Sequence, residues 1–168
     1  MLGRNSNDLI TVKDVPADKF IAAYAEHLKK TQKVQPIKGA AYIKTGHFKQ
    51  MNPYSEDWFY TRAASIARVV YLRPEIGVNT LQHVYGGRKN NGNAKYHHAL
   101  ASAKVLRYAL QQLEHANVVM RLTDKRNTNY HTLPDKKDKL LPRIVTPEGH
   151  KELNEIAKQV FASQYSQW

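Results

Sequence analysis

The sequence predicts a mainly α-helical protein with one small β-hairpin, arranged as a winged helix-turn-helix-like bundle around a central helix. Four long segments carry apolar residues at helical spacing, between a capping residue and a Pro, Gly or Asn stop. Two short β-branched runs, VVMRLT and RIVT, stand before the last helix as partner strands. A chain of 168 residues, 42% of them hydrophobic and including 10 Tyr, 4 Phe and 2 Trp, is long enough to bury a core of its own as one domain, 1–168.

The elements follow in order. Residues 1–10 read as a short polar arm. Asp14 is placed to cap VPADKFIAAYAEHLKK, with Pro16 tolerated in the first turn and Phe20, Ile21, Tyr24, Ala25 and Leu28 forming its apolar stripe. Residues 34–54 hold Pro36, Gly39, Gly46 and Pro53 and read as irregular chain with at most one helical turn. Ser55 is the expected cap of EDWFYTRAASIARVVYLR, with Glu56 and Asp57 in its first turn and Pro74 stopping it at Arg73.

That helix is apolar nearly all round, which makes it the central one. Trp58, Phe59 and Ile66 are expected in the core. Arg62 and Arg73 fall at the edge of a packed face, whereas Arg68 points away with Thr61 and Ser65. The structural expectation for Arg62 is a cation that pairs a buried carboxylate or caps a neighbouring helix.

Asn79-Thr-Leu-Gln82 resembles a capping box opening a short helix through Tyr85, which Gly86 ends. GGRKNNGNAK reads as an exposed, mobile basic loop, its Arg88, Lys89 and Lys95 suited to nucleic-acid phosphates. No Walker or dinucleotide-binding glycine pattern is present. A two-faced helix is expected over His98–Ala116, with Leu106 and Leu110 on its core side and Lys104, Arg107, Tyr108, Gln111 and His115 outside. Asn117 fits a left-handed cap, residues 124–142 an extended basic wing loop, Thr146-Pro147-Glu148 the start of a last helix, and 163–168 a frayed tail.

The formal charge of +12 points to a polyanionic partner, with nucleic acid the commonest and an anionic membrane surface the other candidate. The absence of Cys removes disulfides, thiolate nucleophiles and Cys-based metal sites. No signal peptide or membrane-spanning run is read, so a soluble intracellular protein is expected. The carboxylates lie mostly at helix starts or in i,i+4 pairs such as Glu26 with Lys30. His97 and His98 are adjacent and not four residues apart. No catalytic residue, metal site, cofactor or small-molecule substrate is therefore expected. Nucleic acid would meet the amphipathic helix and the wing. If that ligand were DNA, Lys104, Arg107 and Gln111 would read bases as in a winged-helix transcription regulator, which is the alternative reading.

The runs NPYSEDWFYTRAASIARVVYLR, VYGGRKNNG, ALQQLEHANVV and VTPEGHKELNEIAKQV resemble the small-subunit ribosomal protein nineteen family of eukaryotes and archaea, which is distinct from the bacterial protein of that number. The resemblance extends from TVKDVPADKF to about Ala162. It implies a structural protein in the head of the small ribosomal subunit, bound to small-subunit ribosomal RNA beside neighbouring ribosomal proteins and needed for maturation of the RNA precursor. The implied location is the cytoplasmic ribosome, with assembly in the nucleolus if the source is eukaryotic. The resemblance also implies that Arg62, Arg68 and Arg73, with Trp58 behind them, form a surface important for assembly. Gly86, Gly87, Arg88 and Lys89 match the family's basic loop, and His97 falls where the family tends to carry His. The stretch 124–142 looks longer than the family's wing.

Overall fold

Helix α2, Trp58–Leu72, is built from WFYTRAASIARVVYL, and its small residues let neighbours approach from several sides. Phe59, Ala63, Ala64, Ile66 and Ala67 are wholly buried, and Trp58 and Val70 nearly so. The computed structural model, which describes residues 10–122 and 142–165, packs this helix against α1 (Ala17–Thr31), α4 (Ala103–His115) and strand β4 (Arg143–Val145). Tyr71 of α2 also donates a 2.9 Å hydrogen bond to Asn154 of the last helix, α5 (Pro147–Tyr165). The central role expected of this segment holds, as does the mainly α class with a small antiparallel hairpin.

Between α2 and α4 come α3, Val78–Val84, and then an antiparallel hairpin of β1, Gly87–Asn91, and β2, Ala94–Ala99. This corrects the sequence reading twice. GGRKNNGNAK is a strand pair and not a loop, and α4 begins at Ala103 because His98 and Ala99 are spent in β2. The physical reason is the two-residue turn Gly92-Asn93 after Asn91: Gly92 takes φ +72, a backbone conformation that glycine tolerates and that tight hairpin turns require. Asn90 Oδ1 accepts the Gly92 amide at 2.8 Å, and Asn91 Nδ2 donates to Lys95 O at 3.0 Å, so the asparagines close the turn.

Three expected caps are also corrected. Asp14 does not cap α1, because its Oδ2 accepts both the amide and the hydroxyl of Thr11 at 2.8 Å, and Pro16 stands at the N-cap. Asp57 and not Ser55 holds the N-cap of α2, and no side chain caps that end; Glu56 and Asp57 precede the helix. The Asp57 carboxylate is instead 2.7 Å from Lys29 Nζ and ties α1 to α2. Gly77 precedes α3, so Asn79 lies inside that helix and Gln82 donates sideways to Ala101 O at 3.1 Å.

The C-terminal part follows the sequence closely. Asn117 takes φ 57 after α4, and strand β3, Val119–Arg121, pairs antiparallel with β4 in the register Val119↔Val145, Met120↔Ile144, Arg121↔Arg143. Thr146 Oγ1 accepts the Gly149 amide at 2.9 Å, which caps α5. Leu153, Ile156, Ala157 and Val160 of α5 are buried, and the helix runs three residues into the stretch expected to fray. The polar arm up to residue 9, the wing loop over 123–141 and residues 166–168 lie outside the described residues.

One contiguous core joins the five α-helices of the described residues with β3 and β4. Fully burying a side chain such as Phe20, Leu28 or Leu113 is worth about 1.5–3 kcal/mol relative to exposure, so the stripes hold the helices together far more than the surface ion pairs do. Leu106 and Leu110 join Trp58, Phe59 and Ile66 in that core as expected, and Phe59 meets the Tyr108 ring at 5.6 Å.

Candidate nucleic-acid interface

The charge is divided unevenly along the chain. Between His27 and His115 there are 14 Lys and Arg against only Glu56, Asp57, Glu75 and Glu114, whereas the rest of the chain is nearly neutral. This span includes the loop before α2, α2 itself, the hairpin and α4, so their positive potential is compensated by few carboxylates.

The loop and the hairpin meet through Phe48. Its ring occupies the space beside Gly46 and Gly87, where an added Cβ would lie 2.5 Å and 2.8 Å from ring carbons. Gly46 bridges to Ala101, and Ser102 N donates to Thr45 O at 2.9 Å, which seats the loop against the start of α4. Lys49 Nζ lies 5.5 Å over the Phe48 ring. From there Lys49 borders an open cleft of about 600 Å³ between the loop, α1 and α2, whose other side includes Trp58, Arg62, Ser65 and Tyr85.

Arg62 lies half-buried in that cleft. Its guanidinium carbon is 4.3 Å from the centre of the Tyr85 ring, and the Tyr85 and Ser65 hydroxyls are 2.7 Å apart. Burial pushes the guanidinium below its usual pKa, with the Tyr85 phenol opposing, and it also pushes the Tyr85 phenol up, against the Ser65 hydrogen bond and Arg62. Among the described residues Arg62 has no carboxylate partner and caps no helix, so the expected structural role gives way to a cation–π stack. The same geometry groups Arg62 with Thr61 and Ser65, the residues expected on the opposite side.

The hairpin is exposed along almost its whole length. Arg88 faces His98 across the strands and stacks over Tyr96 at 4.7 Å, while Lys89 faces His97, so cations occupy both faces. Lys95 extends the second face. His98 stacks in turn on His83 of α3, with centroids 6.2 Å apart and planes within 2°.

The other site residues do not converge. Arg68 is six positions after Arg62, about 240° round the helix, and its Nε is buried with no hydrogen-bond partner among the described residues. Arg73 is exposed at the C-cap, about 16 Å along the axis from Arg62. Lys104 is exposed in the first turn of α4, while Arg107 is half-buried, its Nε without a hydrogen-bond partner among the described residues. Sequence reasoning overlooked Lys49 and Tyr85. The long carboxylate-free run before Glu56 pointed to the lysine, but nothing in the local pattern pointed to the tyrosine.

Among the described residues no cluster of His, Asp or Glu is fit to hold a metal, and no helix is long and apolar enough to cross a membrane. Fold and surface together define a small basic helical protein with a preformed, cation-lined face. Residues 11–163 match the family model of ribosomal protein S19e. The chain is 41% identical over 150 residues to small ribosomal subunit protein eS19 of Entamoeba histolytica, covering 89% of this chain and 86% of the relative. It is 37% identical to the rice protein of that name over 89% of this chain and 92% of the relative, and 40% identical to that of the scallop Argopecten irradians over 90% and 94%. The chain belongs to the ribosomal protein S19e family, a family of structural ribosomal proteins and not of enzymes.

Proposed function

We propose that this protein is a structural constituent of the small ribosomal subunit, seated in its head beside neighbouring ribosomal proteins, where it binds ribosomal RNA and supports maturation of the RNA precursor. The naming of its relatives as small-subunit proteins supports this reading. The single observation that carries it is the concentration of 14 cations against 4 carboxylates on the span that builds the cleft, the hairpin and α4. Arg88, Lys89 and Lys95 meet RNA phosphates from the hairpin, Arg62 from the cleft, Lys104 and Arg107 from α4, and Arg68 and Arg73 from the remaining faces of α2. Each phosphate neutralised releases condensed counterions, and the preformed surface fixes the RNA in one arrangement. The protein works in cytoplasmic ribosomes, after nucleolar assembly if the source is eukaryotic, as a single domain and without a cofactor.

Sucrose-gradient sedimentation of a lysate, in low salt and after a high-salt wash, tests this. Co-migration with the small subunit that survives the wash is the expected result. Recovery at the top of the gradient, or with chromatin, overturns it in favour of a free winged-helix DNA binder.

A further inference from the structure

We propose that the cleft beside α2 takes an unpaired RNA nucleotide, with its phosphate on Arg62 and Lys49 and a neighbouring base stacked on the aromatic rim. This deepens the RNA-binding reading and rests on it.

Three features of the cleft converge on that ligand. The first is the uncompensated cation: Arg62 is held in place by the Tyr85 ring, which leaves the edge of its guanidinium without a carboxylate among the described residues. A half-buried guanidinium in that state suits a phosphate, whose oxygens accept its fork of N–H donors. Lys49 supplies a second positive charge at the same cleft. The lining between them mixes the hydroxyls of Thr45, Ser55 and Thr61 with the apolar groups of Ile21, Pro53 and Trp58, which suits a sugar together with the face of a base.

The second feature is the rim. Tyr54 is completely exposed, with 106% relative accessibility, and stands between the cleft residues Pro53 and Ser55. Tyr42 and Met51 are 89% and 78% exposed. The Asn52 amide donates to Ala41 O and the Trp58 indole to Ala40 O at 3.3 Å, so the turn bearing Tyr42 is fastened to the segment bearing Met51 and Tyr54. Tyr54, between two residues that line the cleft, presents an unpacked phenol ring on a fastened loop, and such a ring with phosphate anchors is the combination that single-stranded nucleic acid uses.

The third feature is size. About 600 Å³ lies in the range of small-ligand sites, roughly 300–1,000 Å³. A duplex keeps its bases stacked inside and out of reach of Tyr54, and its rigid backbone cannot follow the recess to Arg62. An extruded nucleotide can do both. Charge decides against a protein segment, because an acidic peptide would find too few donors along the rim and an apolar one would have to cover Lys49 and Arg62.

The test uses the full chain with a short single-stranded RNA carrying 2-aminopurine and with the matched duplex. The expected result is single-strand binding at least about fivefold tighter than duplex binding, with quenched fluorescence, and a loss of about fivefold or more of the single-strand affinity in Tyr54→Leu. Tyr54 is fully exposed, so this variant keeps the fold. Arg88→Ala with Lys89→Ala is expected to weaken both RNAs equally. Equal binding of the two RNAs, with Tyr54→Leu unchanged and the hairpin variant weakened, overturns the cleft assignment and leaves the RNA-binding reading intact. Failure to bind either RNA overturns both. A photo-crosslinker placed at residue 54 is then read in assembled particles: label on RNA supports the proposal, and label on a protein neighbour overturns it.

Discussion

Glu114 Oε1 lies 2.9 Å from Arg143 Nε while its Oε2 lies 2.9 Å from Arg121 Nη2, so one carboxylate at the end of α4 grips the facing residues of β3 and β4. Arg143 is 1% exposed, the most deeply buried charge among the described residues. Its backbone amide also donates to Ile76 O at 3.0 Å, which ties this small sheet to the turn after α2. Removing Glu114 takes its carboxylate from the buried Arg143 and from Arg121 at once. Glu114→Ala is therefore expected to cost about 3–5 kcal/mol in urea unfolding. A loss below about 1 kcal/mol would show that Arg143 is satisfied without it.

Arg62→Ala removes a guanidinium whose alternative, once Tyr85 is considered, is an empty half-buried space. It is expected to lower stability by about 1–2 kcal/mol through the missing stack and packing, and also to reduce incorporation into particles. Thermal melts and gradient fractions read the two effects separately. Arg88→Ala and Lys89→Ala stand on an exposed hairpin, so their melts should stay within about 0.5 kcal/mol of the parent.

Salt dependence isolates the hairpin's contribution. In the double variant Arg88→Ala/Lys89→Ala the slope of log affinity for RNA against log salt concentration should become shallower by about 1–2, roughly one unit for each phosphate that is no longer neutralised. An unchanged slope would mean that neither side chain meets the backbone.

Glycines 149 and 77 form a matched pair. A Cβ at residue 149 would stand 2.2 Å from Val118 O, pressed on rigid backbone at the cap of α5, whereas one at residue 77 meets nothing within 4 Å. Gly149→Ala is expected to destabilise by about 1–3 kcal/mol, and Gly77→Ala by no more than about 1 kcal/mol. Chemical denaturation of the two variants side by side checks this.

Asp14 supplies a pH test. Its hydrogen bonds, first from the Thr11 amide and then from the Thr11 hydroxyl, hold the carboxyl below its ordinary 3.8. The charged form therefore favours the folded state. Its contribution is present above the unfolded value and is lost as pH falls through the lower folded one. Replacing it by Asn should flatten the acid limb of the stability profile below about pH 4, and a carbon-detected NMR titration of Asp14 should show the lowered midpoint directly.

How legible each part was follows from the range of the forces that set it. The stripe Leu153, Ile156, Ala157, Val160 and the caps Asn117 and Thr146 are local patterns, and α5, β3 and β4 lie where those patterns point. The cap of α1 went astray because Asp14 is spent on Thr11 beside it, and α2 starts later than Ser55 predicts, with Asp57 at its N-cap and the Asp57 carboxylate on Lys29 of another helix. The hairpin was missed because its Gly, Asn and cation content describes a loop, although Gly92-Asn93 is also a turn signal. The cations of the candidate site were visible in the sequence. The environment of Arg62 was not, because Tyr85 arrives from 23 residues away and brings Ser65 with it.

The two glycines at the root of the hairpin have rings pressed against them. Gly86 faces His98 Nε2, with no more than 2.6 Å available to an added Cβ, and Gly87 faces Phe48. Such residues usually act as pivots. Here the Phe48 ring, from the loop before α2, fills the joint, and His98 of the arm itself stacks on His83 of α3, so the arm that carries Arg88, Lys89 and Lys95 is braced against the body. Its orientational entropy is surrendered when the chain folds, and little remains to be surrendered on association.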